Sequence, residues 1–324
     1  MASAIRLTRT GGPEVLVLES VEQAAPSPGE AWVEQEAIGV NYLDVMQRNG
    51  SVPVSLPSGI GLEGAGRVTA IGSGVTNVAV GDRVAYAAGP LGGYASGRFY
   101  PAERLVRLPD DLSFEDAATI MFKGITAQYL LKSTYPVAPG AVVLLYGAAG
   151  ALGHIMVPWA KHLGALVIGV VSKQRSVEPA RALGCDAVLV WGTCDLPAKV
   201  SALTNGKKAD VVYDGIGKAT WEASLNSLRS RGLLASIGAS SGPPPPIDVG
   251  TLNAKGSLFL TRPSLAAYST DVAEYQGRAE DVLATVAAGI IKPSVWKTYA
   301  LADAAEAHAA LEGGASGGAI LLKP

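Results

Sequence analysis

Apolar residues follow two different patterns along the chain, and the pattern changes near residue 123. Before that point, short apolar runs such as 31–37, 64–71 and 82–86 are separated by Gly and Pro. Short runs bounded by turn residues are typical of β-strands. We therefore expect the chain up to about residue 109 to form a compact, mostly antiparallel β domain. A strand end followed by a short helix is expected at 39–46, and another helix near Ser113.

After residue 123, β-like apolar runs alternate with helical patterns. The predicted strands are 142–146, 166–171, 186–190, 209–213, 233–237 and 257–260. This alternation indicates a parallel sheet with helices on both faces. The tail contains two predicted helices, through 279–288 and 302–311, and a last strand at 319–322. We expect this tail to return to the first domain.

A run of small residues follows the first of these strands. Ala148, Gly150 and Gly153 occupy the three small-residue positions of the dinucleotide-binding turn, with Ala148 where that motif usually has glycine. Small residues there let backbone N–H groups at a helix N-terminus approach a pyrophosphate. The alternative is that the turn only lets a helix pack closely on the sheet. A predicted helix at 151–163 and the strand at 166–171 complete a β-α-β unit, which favours nucleotide binding.

Composition and charge exclude several classes of protein. A chain of 324 residues with 48% hydrophobic residues can form two domains with a sizeable core. The net charge of -2 and the lack of a Lys/Arg block argue against nucleic acid as a partner. The opening residues lack an apolar signal core and the apolar strands are too short to cross a bilayer, so we expect a cytoplasmic protein without a membrane partner. Cys185 and Cys194 are too few for a disulfide framework or a thiolate zinc site.

The segment after the second strand of the β-α-β unit predicts which nicotinamide cofactor binds. Sites for NAD usually have Asp or Glu there to bind the ribose hydroxyls. This chain has Ser172, Lys173 and Arg175 and no acid. Hydroxyl and cationic groups bind a 2′-phosphate well, so we expect a preference for NADPH. The alternative is that both cations are solvated residues at a helix start.

Several segments together resemble a known family. They are 41–44, 56–66, 81–84, 147–153 and 261–264. In this order they resemble the zeta-crystallin-like NADPH:quinone oxidoreductases, from the zinc-free branch of the medium-chain dehydrogenase/reductase superfamily. The resemblance implies an α/β fold with two domains: a GroES-like, mostly antiparallel β catalytic domain (1–122 and 265–324) and a Rossmann domain with a doubly wound parallel sheet (123–264). It also implies NADPH as cofactor, a quinone or enone as small-molecule substrate, and a homodimer.

The same resemblance implies that no metal takes part. Zinc alcohol dehydrogenases of this superfamily have cysteine where Asn41 stands and histidine where Leu62 stands. The histidines His154, His162 and His308 lie in helical patterns and are expected to be ordinary helix residues. Without a Lewis acid, the substrate must accept hydride readily, as a quinone or an enone does.

The resemblance assigns the site residue by residue. Asn41, Tyr42, Asp44 and Thr126 fall at the nicotinamide and the reacting atoms, with Asn41 and Thr126 also binding the cofactor. Gly150, Ala151 and Leu152 fall at the pyrophosphate. Further cofactor-binding residues are Ser172, Lys173, Arg175 and Trp191 around the 2′-phosphate, and Gly238, Ser240, Ser241, Arg262, Pro263 and Gly317 along the rest of the cofactor. For each of them the alternative is a packing or turn role.

Three residues depart from close relatives. Met46 replaces a tyrosine, Leu62 a threonine and Trp191 a tyrosine, and the first two changes make the expected substrate cleft more apolar. The function implied is a zinc-independent NADPH:quinone oxidoreductase. Two alternatives stay open: an NADPH-dependent reductase of enones or enoyl thioesters, and a non-catalytic, crystallin-like NADPH-binding protein.

Overall fold

The computed structural model describes residues 2–314 and 317–324. The chain divides into two compact units. The first unit comprises Met1–Ile125, Ser269–Ala284 and Pro293–Pro324, and the second comprises Thr126–Tyr268 and Thr285–Lys292. The assignment of residues 1–122 and 265–324 to a catalytic domain and of 123–264 to a dinucleotide-binding domain stays a prediction.

Strands and helices are numbered here in chain order. The strands are β1 (Ala2–Leu7), β2 (Val17–Val21), β3 (Glu30–Val40), β4 (Ser58–Gly59), β5 (Glu63–Ile71), β6 (Arg83–Ala87), β7 (Gly97–Pro101), β8 (Val106–Arg107), β9 (Val142–Tyr146), β10 (Leu166–Val171), β11 (Ala187–Val190), β12 (Ala209–Asp214), β13 (Leu228–Ser236), β14 (Phe259–Thr261), β15 (Val295–Ala300) and β16 (Ala319–Lys323). The α-helices are α1 (Tyr42–Arg48), α2 (Phe114–Tyr129), α3 (Gly153–His162), α4 (Val177–Ala182), α5 (Leu196–Leu203), α6 (Trp221–Ser227), α7 (Val249–Ala254), α8 (Leu265–Tyr268), α9 (Val272–Ala287) and α10 (Ala304–Glu312).

The first unit is mostly antiparallel β, as predicted. Its larger sheet runs β15-β16-β3-β5-β6-β8, with β7 also pairing β3, and only β15 and β16 pair in parallel. A smaller sheet has the order β2-β1-β4. The tail returns to this unit because Ile320 of β16 lies opposite Val40 of β3. Helix α1 begins directly after β3, and Ser113 caps α2 by accepting a hydrogen bond from the Asp116 N–H (3.0 Å).

The second unit is a Rossmann fold. Its six strands are parallel and have the order β11-β10-β9-β12-β13-β14, in which the chain moves outward in one direction from β9 and then in the other. That order is the doubly wound arrangement, which places a ligand crevice at the carboxyl ends of the central strands. Val142, Leu144, Ile168, Val170 and Val212 form the centre of its apolar core.

Differences from the predicted elements include two shifted boundaries and a strand that was not predicted. Strand β13 begins at Leu228 rather than 233, because the polar residues Arg229 and Arg231 hide its start in the sequence. Helix α9 begins at Val272 rather than near 279, and its first turns contain Gly277, a weak helix former. Strand β15 was not predicted, since it lies at a sheet edge with mostly exposed residues. Within the ranges described, no helix has both the length and the apolar character needed to cross a membrane.

Candidate active site and cofactor-binding residues

The turn between β9 and α3 is shaped by close backbone contacts. Gly147 has a φ of 69°, a left-handed conformation that glycine adopts without strain. At Gly153, an added Cβ would lie 2.2 Å from the carbonyl oxygen of Ala148. Helix α3 therefore starts against the turn in a way that only glycine permits. The close helix packing that is the alternative role of these small residues is therefore present here.

The same turn offers free hydrogen-bond donors. The backbone N–H groups of Ala151 and Leu152 donate to no carbonyl in the described parts of the chain, and both residues are partly exposed. They immediately precede α3, a helix of 10 residues, so the positive end of the helix dipole lies beside them. Unpaired N–H groups at a helix N-terminus bind phosphate groups. The turn therefore fits the pyrophosphate of a dinucleotide.

The residues expected around a 2′-phosphate lie at two neighbouring strand ends. Val171, the last residue of β10, lies opposite Val190 of β11, so Ser172 and Trp191 follow these strands side by side. The Trp191 N–H donates to the Val171 carbonyl at 2.8 Å. The Trp191 ring meets the Tyr146 ring edge-on, with centroids 6.1 Å apart, so Trp191 also packs against the core.

The charges at these strand ends fit an anion. Ser172, Lys173 and Arg175 are exposed, and neither cation pairs with a carboxylate among the described residues. The acid that follows in sequence, Glu178, pairs with Arg181 at 2.8 Å. A 2′-phosphate would therefore meet two cations without displacing an existing ion pair.

A buried carboxylate organises the loop after β12. Asp214 is 1% exposed and accepts hydrogen bonds from the backbone N–H groups of Ile216 and Gly217 at 2.8 and 3.1 Å. Its oxygens also accept from the hydroxyls of Thr220 (2.7 Å) and Ser224 (2.6 Å). This carboxylate, which we did not single out from the sequence, fixes a loop at the carboxyl edge of the sheet.

Several residues predicted to bind the cofactor also hold the neighbouring loops together. A Cβ on Gly238 would lie 2.7 Å from the Gly215 carbonyl oxygen, so glycine is required there for packing. The Ser241 hydroxyl donates to the Ile216 carbonyl at 2.8 Å. Arg262 follows β14 and donates to the Ser236 hydroxyl at 3.2 Å. The alternative of a structural role therefore has direct support at these positions.

The remaining predicted cofactor residues are spread over both units. The second unit contains Ser240, which is exposed, and Pro263, which is half-buried. It also contains Thr126, which lies in α2. Gly317 belongs to the first unit, just before β16, and an added Cβ there would meet nothing. Packing therefore does not require glycine at 317.

In the first unit, the polar residues of the predicted site lie at the start of α1. Asn41 is the N-cap of this helix and is 4% exposed. Its backbone N–H donates to Asp44 Oδ2 at 2.9 Å, and its side-chain Nδ2 donates to Glu63 Oε2 at 2.9 Å. Tyr42, the next residue, is 42% exposed, and its hydroxyl makes no hydrogen bond with a described residue. The Tyr42 phenol is therefore the accessible proton donor of this cluster.

Glu63 and Lys123 form a buried ion pair next to Asn41. Lys123 Nζ lies 3.2 Å from Glu63 Oε2, and the Phe122 N–H donates to Glu63 Oε1 at 2.7 Å. We did not predict either member of the pair as a site residue. Glu63 lies inside the 56–66 segment, but Lys123 is 60 residues away in sequence, so no local motif indicates their contact.

Asp44 is buried and points into the unit. Its Oδ2 accepts a hydrogen bond from the Tyr94 hydroxyl at 2.9 Å, and the same hydroxyl lies 2.9 Å from His308 Nε2. Burial raises the pKa of Asp44 to about 7. Burial, together with the nearby Arg48 charge, lowers the pKa of His308 to about 3. Asp44 therefore positions the start of α1 from inside. His308 lies in α10 as predicted and is fully buried.

The two zinc-ligand positions of related dehydrogenases do not fit a metal here. The Asn41 amide nitrogen is engaged with Glu63, and Leu62 is an apolar side chain that is 7% exposed. In residues 2–314 and 317–324, no three His, Cys, Asp or Glu side chains are grouped so that they could hold a metal ion. His154 and His162 lie in α3. Asn41 and Leu62 therefore lack the donors that catalytic zinc requires.

The sequence also matches known protein families. Residues 27–110 match the alcohol dehydrogenase GroES-like domain, and residues 151–275 match the zinc-binding dehydrogenase family. A quinone oxidoreductase from Pseudomonas aeruginosa is 43% identical over 325 residues, covering 100% of both chains. A 2-haloacrylate reductase from a Burkholderia species is 44% identical over 332 residues, covering 100% of this chain and 99% of the relative.

The fold agrees with these relatives. The crystal structure of Escherichia coli quinone oxidoreductase complexed with NADPH has a TM-score of 0.96 to this chain at 42% identity, covering 99% of this chain and 100% of the other. The identity extends over both units and includes the GroES-like and Rossmann parts. This chain therefore belongs to the quinone oxidoreductase family of the medium-chain dehydrogenases and reductases.

Proposed function

We propose that the chain is a zinc-independent reductase that transfers reducing equivalents from NADPH to a quinone. The observation that carries the proposal is the pair of residues at the two zinc-ligand positions, Asn41 and Leu62, which offer neither the thiolate nor the imidazole that a catalytic zinc requires. An acceptor reduced without a Lewis acid must take hydride readily, and quinones do. The names of the relatives and the NADPH-bound Escherichia coli structure support the same choice.

Each part of the site has a role in this proposal. Bound NADPH supplies the hydride. The N–H groups of Ala151 and Leu152 bind the pyrophosphate, and Lys173 and Arg175 bind the 2′-phosphate. The Tyr42 hydroxyl donates a hydrogen bond to the oxygen on which negative charge develops.

The other predicted contacts belong to the same proposal. Asn41 and Thr126 lie at the nicotinamide, and Asp44 holds α1 in place behind Asn41 and Tyr42. Gly150, Ser172, Trp191, Gly238, Ser240, Ser241, Arg262, Pro263 and Gly317 line the rest of the cofactor.

A second candidate function is reduction of an activated carbon–carbon double bond. It is favoured by the Burkholderia relative, which is named a 2-haloacrylate reductase and is 44% identical. The hydride step is the same in both reactions, so the cofactor site does not separate them. Met46 is half-buried and Leu62 is buried, and these two apolar side chains suit a quinone ring better than a carboxylate.

A substrate panel separates the two functions. Oxidation of NADPH would be followed by absorbance with benzoquinone, naphthoquinone, cyclohexenone, crotonyl thioester and 2-chloroacrylate as acceptors. We expect the quinones to give the highest kcat/KM. Highest values for chloroacrylate or the enones would favour the second function, and binding of NADPH without oxidation by any acceptor would favour a non-catalytic role.

The proposal also includes a cytoplasmic homodimer. The short strand β14 forms an edge of the six-stranded sheet, and its Phe259 is 61% exposed, with Val249 of α7 77% exposed. An exposed edge strand with apolar side chains is suited to pair with a second copy. Light scattering should give the mass of a dimer, and Phe259→Lys should shift it toward the monomer. A monomeric wild-type protein would contradict this part of the proposal.

A further inference from the structure

The Glu63 carboxylate is held at both oxygens. Oε1 accepts from the Phe122 N–H at 2.7 Å, while Oε2 accepts from Asn41 Nδ2 at 2.9 Å and lies 3.2 Å from Lys123 Nζ. A Cβ on Gly39 would lie 2.2 Å from Oε2, so β3 packs directly against the carboxylate. With a donor on each oxygen and a strand behind it, this carboxylate has one available orientation.

A carboxylate at this position needs a cation. Glu63 is 0% exposed, and the residue Lys123 is 8% exposed. A buried carboxylate without a partner is strongly disfavoured, and pairing with an ammonium group offsets much of that cost. The contact with Lys123 therefore offsets part of the cost of burying the Glu63 carboxylate in the interior of the first unit.

The Glu63 carboxylate and the capping box of α1 together orient the Asn41 amide. An asparagine side chain has a donor end and an acceptor end, which differ by a flip of the amide. A carboxylate accepts only, so it selects the orientation with Nδ2 toward Glu63. The Asn41 carbonyl oxygen is thereby directed away from Glu63, toward the Asp44 backbone N–H with which it completes the capping box of α1.

We propose that Lys123 is a positioning residue for hydride transfer, which acts through Glu63 to fix the orientation of the Asn41 amide beside the nicotinamide. This inference rests on the proposed function, because it takes Asn41 as a nicotinamide contact. Lys123 itself touches neither substrate nor cofactor in this account.

If Lys123 only balanced the charge of Glu63, a different experimental result would be expected. Lys123→Met alone leaves a buried carboxylate unpaired and lowers stability whichever role is true. The double variant Lys123→Met with Glu63→Gln removes both charges, so its stability should return toward wild type. In Glu63→Gln the Phe122 N–H keeps the amide oxygen facing it, so the amide nitrogen faces Asn41 and a donor stands where wild type has an acceptor. The double variant therefore separates positioning from charge balance.

The experiment compares wild type, the double variant and a control in which another ion pair is removed. The control is Arg229→Met with Asp210→Asn, which removes a pair with Nε and Oδ1 2.5 Å apart near the amino ends of β12 and β13. Each protein is assayed for melting temperature, NADPH affinity, the emission spectrum of the bound nicotinamide, and kcat per NADPH-binding site. The kinetic isotope effect with 4-deuterated NADPH is measured with the quinone reduced fastest by wild type.

For the double variant we expect near wild-type melting and NADPH affinity, a changed nicotinamide emission and a larger isotope effect. The kcat per site should fall by roughly ten- to a hundredfold, as for loss of one charge-assisted hydrogen bond. The control should keep wild-type emission and kcat. Wild-type emission and kcat in the double variant would overturn the inference. If wild type oxidises no NADPH with any acceptor, the proposed function fails, whereas the emission spectrum still tests Lys123.

Discussion

The methyl group of Ala148 lies in the space that a side chain on Gly169 would occupy. A Cβ added to Gly169 would come 2.8 Å from the Ala148 Cβ and 2.8 Å from the Cys185 sulfur. Ala148 is fully buried in the turn after β9, and Gly169 lies in the neighbouring strand β10. The alanine at a position where the dinucleotide-binding motif usually has glycine is thus accommodated by a glycine in the adjacent strand.

The first prediction concerns this pair. Gly169→Ala should lower the free energy of unfolding by about 1–3 kcal/mol, because both neighbours must shift to admit the methyl group. Adding Ala148→Gly should recover part of the loss, and Cys185→Ala the rest. Chemical denaturation of the single, double and triple variants measures this. An additive loss of stability in the double variant, with no recovery, would contradict the packing explanation.

The second prediction concerns cofactor choice. Removing both cations with Lys173→Ala and Arg175→Ala should weaken NADPH binding while NADH binding barely changes. Each charged contact contributes about 1.5–3 kcal/mol, so loss of even one weakens binding roughly ten- to a hundredfold. A matched control removes two other exposed lysines of the second unit, Lys199 and Lys292. Calorimetric titration with both cofactors makes the comparison. A parallel loss for both cofactors would show that these residues do not bind the 2′-phosphate.

The third prediction concerns the phenol of Tyr42. Because this hydroxyl is accessible and makes no hydrogen bond with a described residue, Tyr42→Phe removes one neutral donor and leaves the packing intact. The quinone accepts hydride readily, so turnover should slow only modestly, on the order of tenfold or less. NADPH affinity serves as the control and should not change. A collapse of turnover with unchanged NADPH affinity would make Tyr42 an essential acid.

The Rossmann unit could be predicted well from the sequence because its signals are local. The strand at Leu166–Val171 was predicted at its observed limits, and the turn at 147–153 was identified from small residues alone. Close spacing of small residues and short apolar runs reflects contacts between neighbours in sequence. Strand β15 lacks such a signal because its first four residues are all exposed.

The polar interior of the first unit could not be predicted, because it depends on contacts between distant residues. Tyr94 and His308 are 214 residues apart, and Glu63 and Lys123 are 60 apart. Sequence alone shows that these residues are polar or charged but not that they are buried together. The contacts of Asp44 with Tyr94 and with the N-terminus of α1 are likewise known only from the structure.

The fourth prediction concerns how stability depends on pH. Asp44 keeps its proton in the folded protein up to about pH 7 but loses it near its ordinary value of 3.8 when unfolded, so raising the pH across this window lowers the free energy of unfolding. His308 stays neutral when folded down to about pH 3 but is protonated near 6.5 when unfolded, so lowering the pH across that window lowers the free energy of unfolding.

These two contributions oppose each other between pH 3.8 and 6.5. Asp44→Asn should therefore leave a protein whose stability rises with pH in this window, and His308→Gln one whose stability falls. The change in slope should amount to a few kcal/mol across the window, as an order of magnitude. Urea unfolding at several pH values measures it. Equal slopes in both variants and wild type would contradict the assigned burial of these groups.

We expect this chain to reduce quinones with NADPH and without a metal. The most direct measurement is quinone-dependent oxidation of NADPH and NADH by protein dialysed against a strong chelator, with residual metal determined by mass spectrometry. We predict full turnover with substoichiometric metal, and a kcat/KM for NADPH above that for NADH by roughly ten- to a hundredfold. Loss of activity on dialysis that added zinc restores, or no quinone-dependent oxidation at all, would contradict the account.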